Sequence, residues 1–447
     1  MGFPDYLEAG QRARLLPVVS ESNKENRLIG PVLGALPLIP ELSKELLGQL
    51  GVKIGTRSKV SCFTEVVFKK TKDMVDNSSR PDGLIVVDNG RTQWRCLVEA
   101  KFGNNKIGQS QLERYLEIAN KEPQIDAVLT VSNEFAATPS HSPVSISSKL
   151  KRKCDLFHLS WSAIATTVDL LLANDEIKDP DRALVLHELH EYLRHPASSI
   201  AGFTQMNKEW KDVVKALVSG ARLPKNDVGV LGVVSSWHEE QKDMCLILSR
   251  LVKRSVTLKL PRAHLDSSAE WQKATTDTLL SANRLTASIA VPDAAGSLDV
   301  EAVLSRRTVT FGMRVKLPED IKSTKARVNW LMKQLKLATD PRFYVRLNFP
   351  GRREAAMLEL TAIREDPDIL TAHKDLACTT ADVLLVDDQG GKFAGSKTFI
   401  EQLENSLLVF YENAVANVRN WQPSAPKPVK VPERELEADD QGPEEKS

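Results

Sequence analysis

Asp82, Glu99 and Lys101 are the residues of this chain whose types and spacing best suit a reaction. They lie in RPDGLIVVDNGRTQWRCLVEAKFG, residues 80–103. Two apolar runs there, DGLIVVD and WRCLVEAKF, read as strands separated by Asn89-Gly90, a strong hairpin signal. Alternate residues of a strand share a face, so Glu99 and Lys101 point the same way. A two-residue turn at Asn89-Gly90 would pair Asp88 with Arg91 and Asp82 with Leu97. Asp82 would then share the face of Glu99 and Lys101, with Glu99 as a diagonal neighbour roughly 7–8 Å away at the backbone. A three-residue turn would put them on opposite faces.

Two carboxylates that close in apolar surroundings repel unless a proton or cation sits between them. With water they are hard oxygen ligands that suit Mg²⁺ or Mn²⁺. A lysine beside them could orient or help deprotonate an attacking water, or stabilise developing phosphate charge. Phosphodiester hydrolysis is the chemistry this set suits. The plain alternative is a turn aspartate after Pro81 and a solvated Glu/Lys strand face. CLVEAKF embeds Glu99 in an apolar run, where an unpartnered charge is costly, and this favours a site.

The elements that must position these residues are readable around them. ENRLIGPVLGALPLIPELSKELLGQL (25–50) reads as helix interrupted at Pro37 and Pro40. CFTEVVFKK is a strand, and IGQSQLERYLEIANKE (107–122) is an amphipathic helix. IDAVLTVSN and DLFHLSW are extended, and SAIATTVDLLLAN is a helix with Ser162 as its cap. On the helix after the second hairpin strand, Gln111 and Tyr115 lie four apart and share a face.

Pro81-Asp82 followed by Glu99-Ala100-Lys101, on two strands joined by a turn, resembles the signature of the PD-(D/E)xK nuclease superfamily. Gln111-Leu112-Glu113-Arg114-Tyr115 is similar to the QxxxY motif of its RecB-like members. The resemblance covers roughly residues 20–175 and implies a restriction-endonuclease-like mixed sheet flanked by helices. It implies that Asp82, Glu99 and the Ala100 carbonyl bind Mg²⁺ or Mn²⁺ and that Lys101 is catalytic. Gln111 and Tyr115 would position the site or substrate. An acidic residue on the first helix would join the metal set; Glu25 is the match and Glu65 its competitor. The RecB-like upstream histidine is missing, since no His precedes Asp82.

The chain's 447 residues suit two or three domains, and its net charge of +1 gives no argument for nucleic acid by itself. Local basic residues, Arg80, Lys106, Arg114, Lys151 and Arg152, are candidates for phosphate contact. No signal-peptide core, bilayer-length apolar run, Gly-rich phosphate loop or GxSxG is present, and five scattered cysteines form no CxxC pair. A cytoplasmic protein without a membrane partner is therefore expected. HELHEYLRH brings His187, His190 and His195 together, but without HExxH spacing it reads as a polar helix face. Trp330 and Trp421 read as core anchors.

The expected organisation is a nuclease-like domain over 1–175, a helical connector over 176–225, an α+β domain over 226–422 and a disordered tail over 423–447. The whole is expected to be a DNA nuclease. The C-terminal domain would regulate, recognise substrate or dimerise, and a homodimer would bring two sites to the two strands. Such a fusion is a layout seen in bacterial defence against foreign DNA, so that role is an expectation by analogy. Three alternatives stand beside it. One is a nuclease-fold module that binds DNA or assembles without cutting. Another is a sensor-effector switched on by a ligand or partner protein at the C-terminal domain. The third is a structural or interaction protein whose hairpin charges are incidental.

Overall fold

The computed structural model describes residues 5–12, 15, 23–69, 80–122, 125–147, 149–150, 154–373 and 377–422. The expected disordered tail, and Lys151 and Arg152, lie outside these described residues. The described chain is mixed α/β with two sheets.

The first sheet holds six strands in sequence order. They are β1 (Leu7–Arg12), β2 (Lys59–Phe68), β3 (Gly83–Asp88), β4 (Gln93–Ala100), β5 (Ala127–Ser132) and β6 (Asp155–Ser160). Pairing is antiparallel from β1 to β4 and parallel from β4 through β5 to β6. Apolar runs such as AVLTVS in β5 are buried along their whole length, as expected of strands covered on both faces. One face carries α1 (Lys24–Ala35), α2 (Pro40–Gly48), α4 (Trp161–Ala173) and α5 (Pro180–Arg194), through Leu28, Leu42, Ile164 and Leu189. The other carries α3 (Gln109–Lys121), through Leu112, Tyr115 and Leu116. Ser160, not Ser162, caps α4: its side chain accepts the Ala163 N–H at 3.1 Å.

The second sheet has seven antiparallel strands in the order β12-β11-β13-β10-β9-β8-β7. They are β7 (Thr257–Leu258), β8 (Arg284–Ala290), β9 (Leu298–Val303), β10 (Thr308–Lys316), β11 (Phe343–Asn348), β12 (Ala356–Glu359) and β13 (Thr380–Asp388). Alternation in β10 buries Val309, Phe311, Met313 and Val315. These face α7 (Val228–Val252) and α12 (Ser396–Phe410) in one core. On the opposite face Asp382 accepts from both Arg314 and Arg346.

The stretch 176–225 is shared between these cores. Leu186, Leu189 and Leu193 of α5 join the first, and Trp210, Val213 and Leu217 of α6 (Trp210–Val218) join the second. The fully buried tryptophans are Trp161, Trp210 and Trp237. Trp330 is partly buried and packs against the second core, as its reading as an anchor expects, whereas Trp421 is partly buried outside that core. All five cysteines are buried and free. Among the described residues, no helix is long and apolar enough to cross a membrane.

Candidate active site

The hairpin register decides whether Asp82 and Glu99 meet. Asp88 pairs with Gln93 and Gly83 with Val98. The Asn89 N–H reaches the Thr92 carbonyl at 3.0 Å, so the tip residues are Gly90 and Arg91 rather than Asn89 and Gly90. Gly90 takes φ +84°, the left-handed region that glycine enters at no steric cost. Asn89 is kept off the tip by Ser58, whose Oγ donates to its Oδ1 at 2.6 Å. The expected register is therefore displaced by two residues, and Asp82 lies directly across from Glu99 instead of diagonal to it. An even displacement preserves the shared face.

The pairing is closed by a backbone contact. Asp82 Oδ2 accepts the Ala100 N–H at 2.8 Å. Next to it, Gly83 makes room for α1: a Cβ there would lie 2.5 Å from Leu33 Cδ1. Close packing of α1 on β3 brings Glu25, in the first turn of α1, toward the hairpin. Glu25 Oε1 is 3.7 Å from Lys101 Nζ. Lys101 Nζ also donates to Glu99 Oε1 at 2.5 Å.

Glu65 takes a different path. It sits at φ +54° where β2 departs from its partner β1's regular register, and it accepts from Asn26 Nδ2 at 3.2 Å and Arg80 at 3.1 Å. Of the two acidic candidates, Glu25 contacts Lys101, and Glu65 is held by Asn26 and Arg80.

The centre is buried. Glu99 is 3% exposed, and its Oε2 has no hydrogen-bond partner. Burial first, then the Glu99 and Glu25 charges, push the Asp82 carboxyl well above its ordinary range; the Ala100 N–H and Lys101 only partly offset them. Burial also raises Glu99, against the pull of Lys101 and Tyr115. For Lys101, burial disfavours the ammonium, but Glu99, Glu25 and Asp82 outweigh it and hold its pKa above the ordinary lysine value. Lys101 therefore keeps its proton and serves as the internal counter-ion of a carboxylate set that resists full ionisation.

Gln111 and Tyr115 reach the same place from α3. Gln111 Nε2 donates to Tyr115 Oη at 3.0 Å, and Tyr115 Oη donates to the Arg80 carbonyl at 3.4 Å. On the other side, the Trp161 indole N–H donates to the Lys101 carbonyl at 2.7 Å. No sequence motif announces this support, because Trp161 opens a helix two strands away.

A divalent cation fits this donor set in one respect: Glu99 Oε2 is a buried oxygen without a partner, on a side chain that shares its face with Asp82. Asp82, Glu99 and the Ala100 carbonyl would supply hard oxygen ligands. Among the described residues, no three His, Cys, Asp or Glu side chains are grouped to hold a metal ion. The set is two carboxylates and a backbone carbonyl, with Glu25 turned to Lys101.

The expected phosphate contacts are only partly grouped here. Arg80 pairs with Glu65, and Lys106, its side chain 78% exposed, lies 4.0 Å from Glu134. Arg114 stands partly buried on α3. The histidines at 187, 190 and 195 form no site: His190 binds Asp169 at 2.9 Å, and His195 Nδ1 accepts the Ala197 N–H. No family model, curated protein or solved structure matches the chain.

Proposed function

We propose that the chain is a divalent-metal-dependent nuclease that hydrolyses DNA phosphodiester bonds at Asp82, Glu99 and Lys101, on a restriction-endonuclease-like fold. One observation carries this reading: a buried Glu99 with an orphaned oxygen lies directly opposite Asp82, with a protonated lysine between Glu99 and Glu25. Buried charge of this kind is costly in a merely structural hairpin. Mg²⁺ or Mn²⁺ would supply Lewis-acid polarisation of a phosphoryl oxygen and a more acidic water. Asp82 and Glu99 are the residues that would hold it, with the Ala100 carbonyl. Lys101, as an ammonium, would orient a phosphate oxygen and stabilise charge developing on it, rather than take a proton. Gln111 and Tyr115 are tied by hydrogen bonds to the Arg80 carbonyl, two residues before Asp82, which positions the entry to the hairpin without contacting the reacting atoms.

The test uses supercoiled plasmid, linear duplex, single-stranded DNA and RNA with Mg²⁺ or Mn²⁺. Glu99→Gln and Lys101→Ala should each lower cleavage roughly 10²–10⁴-fold. Mn²⁺ binding, followed by electron paramagnetic resonance, reads the site without catalysis. Equal cutting by all three proteins would place the chemistry elsewhere. Mn²⁺ binding without cleavage of any substrate would favour a nuclease-fold binding module.

A further inference from the structure

A cavity of about 950 Å³ lies between the two halves of the chain, bounded by α2 and α4 on one side and by α7 and β7 on the other. Leu170, Leu246 and Leu258 give it apolar walls, and Lys242 of α7 lines it. Buried or half-buried cations elsewhere are held by carboxylates, as Lys101 by Glu99 and Arg342 by Asp340 and Asp387, or by backbone carbonyls, as Arg327 by Ile321 and Cys378. Among the described residues, Lys242 has no carboxylate partner. Burial depresses its pKa. An unmatched cation facing a cavity is a standing cost that an anionic ligand would remove.

A second donor lies on the opposite wall. Thr166 of α4 accepts from Arg250 Nη1 at 3.0 Å, which leaves its own hydroxyl proton to give. An ammonium and a hydroxyl suit the oxygens of a phosphate, and the leucine walls suit a flat apolar ring. The acidic lining residues, Glu45 and Glu176, are exposed at the rim. We propose that this cavity is a nucleotide site, in which Lys242 and Thr166 hold a phosphate and the leucine walls take the base. Thr166 is on the helix whose first residue, Trp161, holds the Lys101 carbonyl. Control of cleavage through α4 would rest on the nuclease reading, whereas binding itself does not.

Binding is tested on the full chain in EDTA, away from any cleavage, with fluorescent mant-ATP as probe and unlabelled ATP and adenosine as competitors. Saturable mant-ATP binding is expected, with ATP displacing it and raising the melting temperature as its concentration rises. Adenosine, lacking the phosphates, should compete about tenfold less well or worse. Lys242→Met should weaken mant-ATP binding about tenfold or more, yet melt at or above the unliganded wild type, because an unmatched charge is gone. Thr166→Val should weaken binding several-fold. The proposal is overturned by absence of saturable binding at millimolar mant-ATP, by equal affinity of Lys242→Met, or by adenosine competing as well as ATP. A Lys242→Met protein that melts well below wild type would equally overturn it, since the lysine would then be structural.

Discussion

Glu99 has one oxygen on Lys101 and the other on nothing, and Asp82 faces it across the hairpin. Replacing one of the two facing carboxylates should therefore move stability and activity in opposite directions. Asp82→Asn keeps an oxygen for the Ala100 N–H and removes one of two facing carboxylates. Without added metal, its melting temperature should rise, by on the order of 1 kcal/mol of stability, while cleavage is lost. Mg²⁺ should stabilise wild type more than the variant, which thermal melting with and without Mg²⁺ checks. Lys101→Met is the converse: it leaves Glu99 buried beside Asp82 without its counter-ion and should cost about 3–5 kcal/mol by urea unfolding. The identities of Asp82, Glu99 and Lys101 were legible because strand parity and an apolar run mark them. Glu25 was not separable from Glu65 in the sequence. Only the backbone departure at Glu65, φ +54°, and the Asn26 and Arg80 side chains that take its carboxylate tell them apart.

At the scale of elements, the hairpin shows what a local signal can and cannot say. Asn89-Gly90 announces a turn, and its even count is right for the site. The tip is one residue further on because Ser58, far back in the chain, holds Asn89. A Cβ at Gly90 would meet nothing within 4 Å, so Gly90→Val tests the backbone alone. It should cost on the order of 1 kcal/mol at φ +84°, measured by urea unfolding. β1 had no legible signal: LEAGQR has no β-branched residue, and its pairing to β2 holds it in the sheet.

The β5–β6 ladder carries a pH-dependent contact in His158. Its Nε2 donates to the Glu134 carbonyl at 2.8 Å, and its Nδ1 lies 2.9 Å from Thr130 Oγ1. Burial holds its pKa down to about 4, against an ordinary 6.5. A depressed histidine favours the folded state above the unfolded pKa, and that contribution is lost as pH falls toward the folded value. Between pH 7.5 and 5.0 it amounts to roughly 2 kcal/mol. Urea unfolding at both pH values should show wild type losing about that much more than His158→Gln.

On the scale of the whole molecule, two apolar cores meet along a mixed joint, where Phe135, Ala163 and Leu246 form a small buried cluster. Beside it the Phe135 N–H donates to Glu239, and Arg250 donates to Thr166. None of these pairings is periodic in sequence, and Lys242 reads there as one more charge on an amphipathic helix. This is why the grouping of Asp82, Glu99 and Lys101 in the first core was legible and the joint was not. α7 belongs to the second core yet packs against α4 of the first. Within α7, Glu240 is fully buried and neither of its oxygens has a partner among the described residues. Burial, then Glu404 and Asp243, push its carboxyl far above the ordinary range. A leucine has similar volume and carries no such penalty, so Glu240→Leu should stabilise the second core by about 1–3 kcal/mol. Separate cores joined only by a small apolar cluster and a few hydrogen bonds unfold as separate units, so calorimetry should resolve two transitions. Glu240→Leu should raise one of them by several degrees and leave the other in place. A shift of both transitions together would mean that α4 and α7 unfold as one unit, and that the two cores are coupled through the joint.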